Sequence, residues 1–387
     1  MSRIHRLAAS FFSSLLSIGL PALPAQRPES LKIVQAESAL AIDGDLADWA
    51  AIPAFPIQLT VEGNVLPPSA DLTVRARFGF DARFFYAVLQ VIDDRIEFPD
   101  RQRSEGDGFY LTFIGPGAAD SKNDCLIFGF SRFGNEPLAI VDRRGEGGPS
   151  PARDVQLEIR LNQKQSSVDY ELAIPWGQIP FFRPFLHGEL KLNLSYDDLD
   201  AGQKKVVQLV PDPEYEPESA APKKGLSAEF VLGEPRGFDF QSSLNGNHFY
   251  ADSQPRLELA VRSATPQSGW QVKIFLTTPL GNVESQKPLS FGQGLNVLTF
   301  PVELDKTATG TYDLSLGLID DKGGLRYTDD KRFFLLDRKE FEAYAAKIED
   351  IKKGEAFAKD ILFRESLPTL EIRLQWIRDF MDKAPAF

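Results

Sequence analysis

"LTVRARFGFDARFFYAVLQVIDD", residues 72–94, decides the fold class. Leu72, Val74, Ala76, Phe78 and Phe80 share one parity, and after "DARF" Phe85, Ala87, Leu89 and Val91 share the other. A period of two marks a strand with one buried face, because successive side chains point to opposite sides of a pleated backbone. Two such runs with so short a link predict a β-hairpin.

The same alternation spreads outward in both directions. Phe109, Leu111 and Phe113 form one run; Tyr170, Leu172 and Ile174 another; Leu190, Leu192 and Leu194 a third. Many short strands punctuated by Gly, Pro and Asp predict a sandwich of two antiparallel sheets. A loop rich in Pro, Glu and Lys, residues 211–225, precedes one further strand, "LSAEFVL", and the first domain is expected over residues 31–233. "GEPRG" reads as a linker. Alternation resumes with Leu257, Leu259 and Val261, with Trp270, Val272, Ile274 and Leu276, and with Tyr312, Leu314, Leu316 and Leu318. This second set predicts an immunoglobulin-like sandwich over residues 237–336, with Trp270 in its core. After Asp337 the period changes to that of a helix. Phe341, Tyr344, Ile348, Ile351, Ala358 and Leu362 form one stripe, and Leu370, Leu374, Ile377 and Met381 a second. A helical hairpin over residues 338–387 is expected, packed on a sandwich or on a partner chain, since so short a pair is not stable alone.

Composition narrows the function. Residues 1–25 carry Arg3 and Arg6 before an apolar run and read as a signal peptide. No later apolar stretch is long enough for a membrane span, so a secreted or periplasmic protein is expected. The net charge of −12 and the lack of a basic stripe weigh against nucleic acid. Cys125 has no second cysteine to pair with and reads as a buried thiol. Beyond the leader only His187 and His248 remain, which weighs against catalytic triads and histidine metal sites. No phosphate-cradling or dinucleotide motif is present. A non-catalytic protein is expected. The remaining catalytic option is glycoside hydrolysis by two carboxylates, whose separation a sequence does not give.

Three acidic groups are candidate calcium ligands: Asp43, Asp45 and Asp48; Asp93 and Asp94; Asp197, Asp198 and Asp200. Calcium takes six to eight oxygens, which separate loops can contribute together. The competing reading is turn chemistry, in which Asp side chains bond nearby backbone amides. For "IDGDLADW", residues 42–49, the turn reading is favoured, with Gly44 in the tight turn and Trp49 buried below it. Asp93, Asp94, Asp197 and Asp198 are kept as the metal candidates.

Five stretches occur in an order that resembles carbohydrate-binding module family 9 and its wider class of sandwiches: "IDGDLADW", "VRARFGFDARFFYAVLQVIDD", "GDGFYLTF", "VDYELAIPW" and "GELKLNLSYDDLD". The resemblance implies a sandwich in which Trp49 and Trp176 are structural. It also implies a saccharide held between exposed aromatics. Here the first of those positions has Arg103, Ser104 and Glu105, and the second offers Tyr215. Tyr215 is the expected stacking residue, and Glu105 and Asp107 the polar contacts. Saccharide recognition, with calcium fixing the loops, is the leading expectation. The alternatives are a cell-envelope assembly protein that captures a partner through its C-terminal helices, and an accessory to a carbohydrate-active enzyme.

Overall fold

The computed structural model of the chain describes residues 30–66, 71–98, 106–115, 125–134, 136–143, 149–162, 164–200, 203–212, 224–246, 248–250, 253–304 and 308–336, with six further positions from 339 to 350. Among these the chain is mainly β. The first unit is built from β1 (Ser30–Gln35), β2 (Ala54–Ile57), β3 (Leu59–Thr60), β4 (Leu72–Phe80), β5 (Phe84–Asp93), β6 (Gly108–Ile114), β7 (Cys125–Phe133), β8 (Glu136–Arg143), β9 (Ser150–Pro151), β10 (Gln156–Asn162), β11 (Ser167–Pro175), β12 (Glu189–Asp200), β13 (Gln203–Gln208) and β14 (Leu226–Val231). The second is built from β15 (Phe238–Leu244), β16 (His248–Tyr250), β17 (Arg256–Ser263), β18 (Gln267–Thr278), β19 (Gly281–Phe291), β20 (Gly294–Pro301), β21 (Gly310–Ile319) and β22 (Leu325–Leu336).

The strands of the first unit join in one hydrogen-bonded sheet whose main path runs β10-β11-β5-β4-β1-β14-β12-β6-β7-β8-β9. β5 and β6 stand five positions apart on that path. In a flat sheet, at about 4.8 Å per strand, they would be roughly 24 Å apart. Yet the rings of Phe85 on β5 and Phe113 on β6 meet edge to face at 5.0 Å, and those of Phe109 and Tyr170 at 5.2 Å. The sheet is therefore curled over on itself, and the alternating residues of 72–94 line its inside. Phe78, Phe80, Phe85, Leu89, Phe109, Phe128 and Leu192 are all fully buried there.

β1 is the seam. It pairs with β14 on one side and β4 on the other, and both pairings are parallel. β16 is likewise parallel to β22. This corrects the expectation of purely antiparallel sheets. Period-two alternation is the same in either direction, so the pattern does not report the sense of a pairing made across a long chain separation. The β4–β5 pairing is a hairpin, with Phe80 opposite Phe85 and the Asp81 carboxylate accepting from the amides of Arg83 and Phe84, each at 2.7 Å.

The turn ahead of Trp49 is held by a carboxylate on the outer face of the sheet. Glu171 on β11 accepts from the Gly44 amide at 2.6 Å, the Asp43 amide at 2.9 Å and the Trp49 indole Nε1 at 2.6 Å. Gly44 has φ +79°, where a side chain would be strained. Asp43, Asp45 and Asp48 each accept a nearby backbone amide, so they are turn residues. Trp49 is fully buried against the Tyr86 ring. Trp176 is buried too and donates to the Asp81 carbonyl at 2.9 Å. Both tryptophans serve packing.

The second unit has a three-stranded sheet, β15-β17-β20, and a five-stranded one, β16-β22-β21-β18-β19, around a core with Trp270, Tyr312 and Leu314. It is clamped to the first. Gln241 accepts from the Phe185 amide and donates to the Ala82 carbonyl, while Arg262 reaches Gln35 and the Gly233 carbonyl with its guanidinium over the Phe185 ring. Of the expected helical hairpin, Lys339, Glu342, Ala343, Ala346, Lys347 and Asp350 are helical and exposed. The rest of it lies outside the described residues. Among the described residues no helix is long and apolar enough to cross a membrane.

Replacing Glu171 with Ala strands three donors, of which the Gly44 amide and the Trp49 indole are buried and the Asp43 amide is part-buried. A loss of about 3–5 kcal/mol in unfolding free energy is expected in a urea titration, at ~1–3 kcal/mol for each buried group left unpaired. A loss below about 1 kcal/mol would show that other contacts hold the turn.

Candidate metal centre

Strand alternation carries three carboxylates into the core line. On β5 the inward residues run Phe85, Ala87, Leu89, Val91 and then Asp93. On β12 they run Leu190, Leu192, Leu194, Tyr196 and then Asp198. Counting back from Phe113, Leu111 and Phe109 along β6 reaches Asp107. β12 and β6 are in register, with Tyr196 opposite Phe109 and Asp197 opposite Gly108, so Asp198 and Asp107 fall at the same end of the barrel-like core. Their carboxylate oxygens and that of Asp93 lie within 4.8 Å of one another, and all three residues are fully buried.

The backbone fixes part of this group. Asp107 accepts from the Leu199 amide at 2.8 Å through Oδ1 and from the Glu97 amide at 2.5 Å through Oδ2. Asp93 Oδ1 accepts from the Arg95 amide at 2.9 Å. Among the described residues, Asp93 Oδ2 and both Asp198 oxygens have no hydrogen-bond donor within normal geometry, and the Lys205 ammonium approaches Asp198 Oδ2 as a charge at 3.7 Å. Buried carboxylate oxygens without donors are unusual, because their desolvation is then uncompensated.

The protonation equilibria register that cost. Burial, followed by the repulsion of Asp107, Asp198 and Asp200, pushes Asp93 up to about 8 against the pull of the Arg95 amide. Burial raises Asp107 to about 7 in spite of its two amide bonds, and burial and then Asp200 raise Asp198 to about 6, with Lys205 opposing. The Tyr196 phenol just behind is pushed far up, first by burial and then by Tyr170 and these aspartates, so it stays neutral.

An all-oxygen set of this kind suits a hard cation such as calcium, whereas zinc favours nitrogen and sulfur. The three aspartates would supply part of a six- to eight-oxygen shell, and backbone carbonyls and water the remainder.

The four metal candidates of the sequence divide. Asp93 and Asp198 join the buried triad. Asp94 belongs to a second, more exposed group with Asp71 and Asp200. Asp197 is on the opposite side of β12 from Asp198 and pairs with Lys204 at 3.0 Å. Asp107, expected as a saccharide contact, is instead buried and bonded to backbone. Extending the alternation of Phe109, Leu111 and Phe113 by one step would have shown that Asp107 faces inward, as Asp93 and Asp198 do.

Glu105 and Tyr215 lie outside the described residues. The segment carrying Tyr215 leaves and returns beside Asn193, whose amide donates to the carbonyls of Val210 and Lys224. Asn193 is five residues from Asp198 along β12, roughly 17 Å at about 3.3 Å per residue. His187 accepts the Arg183 amide at 2.8 Å in a tight turn, and the neutral ring this needs is favoured by burial, which lowers its pKa.

No family model matches the chain, and the search of curated proteins found no match. Among solved structures, it is similar to a carbohydrate binding module family 9 from Caldicellulosiruptor kristjanssonii in complex with glucose, at 10% identity over 52% of this chain and 97% of that one, with a TM-score of 0.40. The same kind of module from that organism, in complex with cellotriose, matches at 9% identity over 52% and 95%, with a TM-score of 0.41. A mutant β-glucosidase from Listeria innocua in complex with laminaribiose matches at 12% identity over 33% of this chain and 18% of that one, with a TM-score of 0.21. The likeness to family 9 thus extends over about half the chain. At these identities and TM-scores no ligand and no residue role passes from those proteins to this one.

The raised aspartates set the sign of a pH effect. In the folded chain they hold protons that the unfolded chain has already released above about pH 4, so stability falls as pH rises from there towards about 8. In chelator, the thermal midpoint is expected to drop between pH 5 and pH 8, with the triad titrating as a coupled unit. Calcium should restore it, and restore it more at pH 8 than at pH 5. A midpoint in chelator that rises over this range would contradict the assignment.

Proposed function

We propose that the first unit is a non-catalytic saccharide-recognition domain whose rim is held by a divalent cation, calcium by preference, on Asp93, Asp107 and Asp198. The observation that carries the cation is the set of fully buried carboxylate oxygens left without donors at the end of the core. Three strands distant in sequence converge there, so one ion would tie β5, β6 and β12 together at the base of the loops that leave them.

Support for a saccharide as the ligand comes from the five ordered motifs, which fall on the opening turn and on β4, β5, β6, β11 and β12 of one sheet. The solved structures similar to the chain over about half its length include complexes with glucose and with cellotriose. Tyr215 is the stacking residue we assign, since a phenol ring offers an apolar face to a sugar and its hydroxyl to the solvent side. Glu105, two residues before Asp107, supplies a carboxylate to the hydroxyls. In this reading residues 1–25 act as an export signal and the protein works outside the cytoplasm.

Calorimetric titration of the full chain with glucose, cellotriose and a range of other oligosaccharides tests the proposal. Binding is expected in calcium, weakened at least tenfold in chelator and lost in Tyr215→Ala, with the far-UV spectrum of that variant unchanged. Silence across every saccharide, in calcium and with the chain folded, would overturn it.

A further inference from the structure

Beside the buried triad stands a second one. Asp71, Asp94 and Asp200 bring their carboxylate oxygens within 4.8 Å of one another, and they are half-buried or exposed rather than buried. The two groups adjoin through the chain itself, since Asp94 follows Asp93, and Asp200 follows Asp198 by one full period of β12. Six carboxylates thus gather at one rim.

Among the described residues, Lys205 is the cation that reaches them. β12 and β13 form a hairpin in which Lys205 is directly opposite Asp198. Its ammonium is 2.8 Å from Asp71 Oδ2, 3.5 Å from Asp200 Oδ2 and 3.7 Å from Asp198 Oδ2. It touches two members of the outer triad and one of the inner. Lys204, the next residue, turns to the other side of the hairpin and pairs with Asp197, so it takes no part. The hydrogen bond to Asp71 is the main cause of a raised pKa at Lys205, which keeps the ammonium charged.

We infer that Lys205 is the chain's own counter-cation for the outer triad, standing where a second divalent ion would otherwise bind and holding down the affinity of the inner triad by its hold on Asp198. This rests on the reading of the inner triad as a cation site. The division follows from burial and charge. The inner triad is fully buried, and Lys205 reaches no more of it than the edge of Asp198, so a small ion is better suited to it than a lysine, and three carboxylates favour a divalent charge over a monovalent one. The outer triad opens to solvent, where a flexible four-carbon stem reaches easily. With one positive charge already shared by Asp71, Asp200 and Asp198, a divalent ion arriving there would have to displace it or meet its repulsion.

The test is titration of the full chain, stripped with chelator, with calcium chloride alone, comparing the unaltered protein with Lys205→Met and Lys205→Arg. The unaltered chain is expected to take up one calcium. Lys205→Met should bind that ion at least tenfold more tightly and take up a second, while Lys205→Arg, which keeps the charge, should stay within about threefold of the unaltered value. Lys205→Gln repeats the comparison if the methionine variant does not fold. One calcium of unchanged affinity in the neutral variants would overturn the role of Lys205 and leave the inner site standing. No calcium in the unaltered chain, with uptake appearing only in Lys205→Met, would overturn the inner site as a native cation site and uphold Lys205 as the substitute cation. No uptake in any of them would overturn both.

Discussion

Phe85 and Phe113 belong to strands that a flat sheet would hold five positions apart, and the contact between their rings is the constraint on which the rest of the first unit depends. A single sheet with so many inward phenylalanines has no second layer to cover them, so it covers itself. That closure needs a seam, and β1 provides it by pairing in parallel with strands from the two halves. It also needs the opening turn to lie flat against the outer surface, which Glu171 secures by collecting the amides of Asp43 and Gly44 and the indole of Trp49. Trp49 is therefore bound to the fold by packing and by a hydrogen bond at once, and neither its ring face nor its nitrogen remains for a ligand.

Closure also explains the electrostatics of the rim. A strand that alternates faithfully continues to point every second residue inward until it ends; on β5 and ahead of β6 the terminal such residue is an aspartate, and on β12 the last two, Asp198 and Asp200, both are. Bringing the strand ends together brings these carboxylates together. Backbone amides compensate Asp107 fully and Asp93 by half, and Asp198 receives only the distant edge of an ammonium. What is left is a concentration of negative charge in a dry setting, which raises the proton affinity of every member. Protons, a divalent ion and Lys205 then compete for the same oxygens, and the order of burial from the inner to the outer triad decides which of them fits where.

The two neighbours on β12, Asp197 and Asp198, show how finely the pleat sorts identical residues. They differ by one position. Asp198 faces the core line beside Asp107, whereas Asp197 faces away and forms an ion pair with Lys204. Their partners on β13 are sorted in the same way, with Lys205 turned to the clustered side and Lys204 to the other. A shift of one residue in the β12–β13 register would exchange the two roles, so the hairpin's register is part of the site.

Much of this was legible in residues 72–94 and their counterparts. The period of two gave the strands, the Asp81 turn gave the hairpin, and the small and turn-forming residues around Trp49 marked it as a core residue. These are local properties, fixed by the pleat and by turn chemistry within a few positions. The parallel seam of β1, the grouping of Asp107 with Asp93 and Asp198, and the separation of Asp94 from them were decided only by the tertiary structure. Each depends on which strand ends meet when the sheet closes, and that is set by contacts between residues far apart in the chain, such as Phe85 with Phe113 and Ser30 with Ser227. The sequence by itself determined which side chains face inward; the curl of the sheet, driven by burial of the phenylalanines, determined which of them face one another.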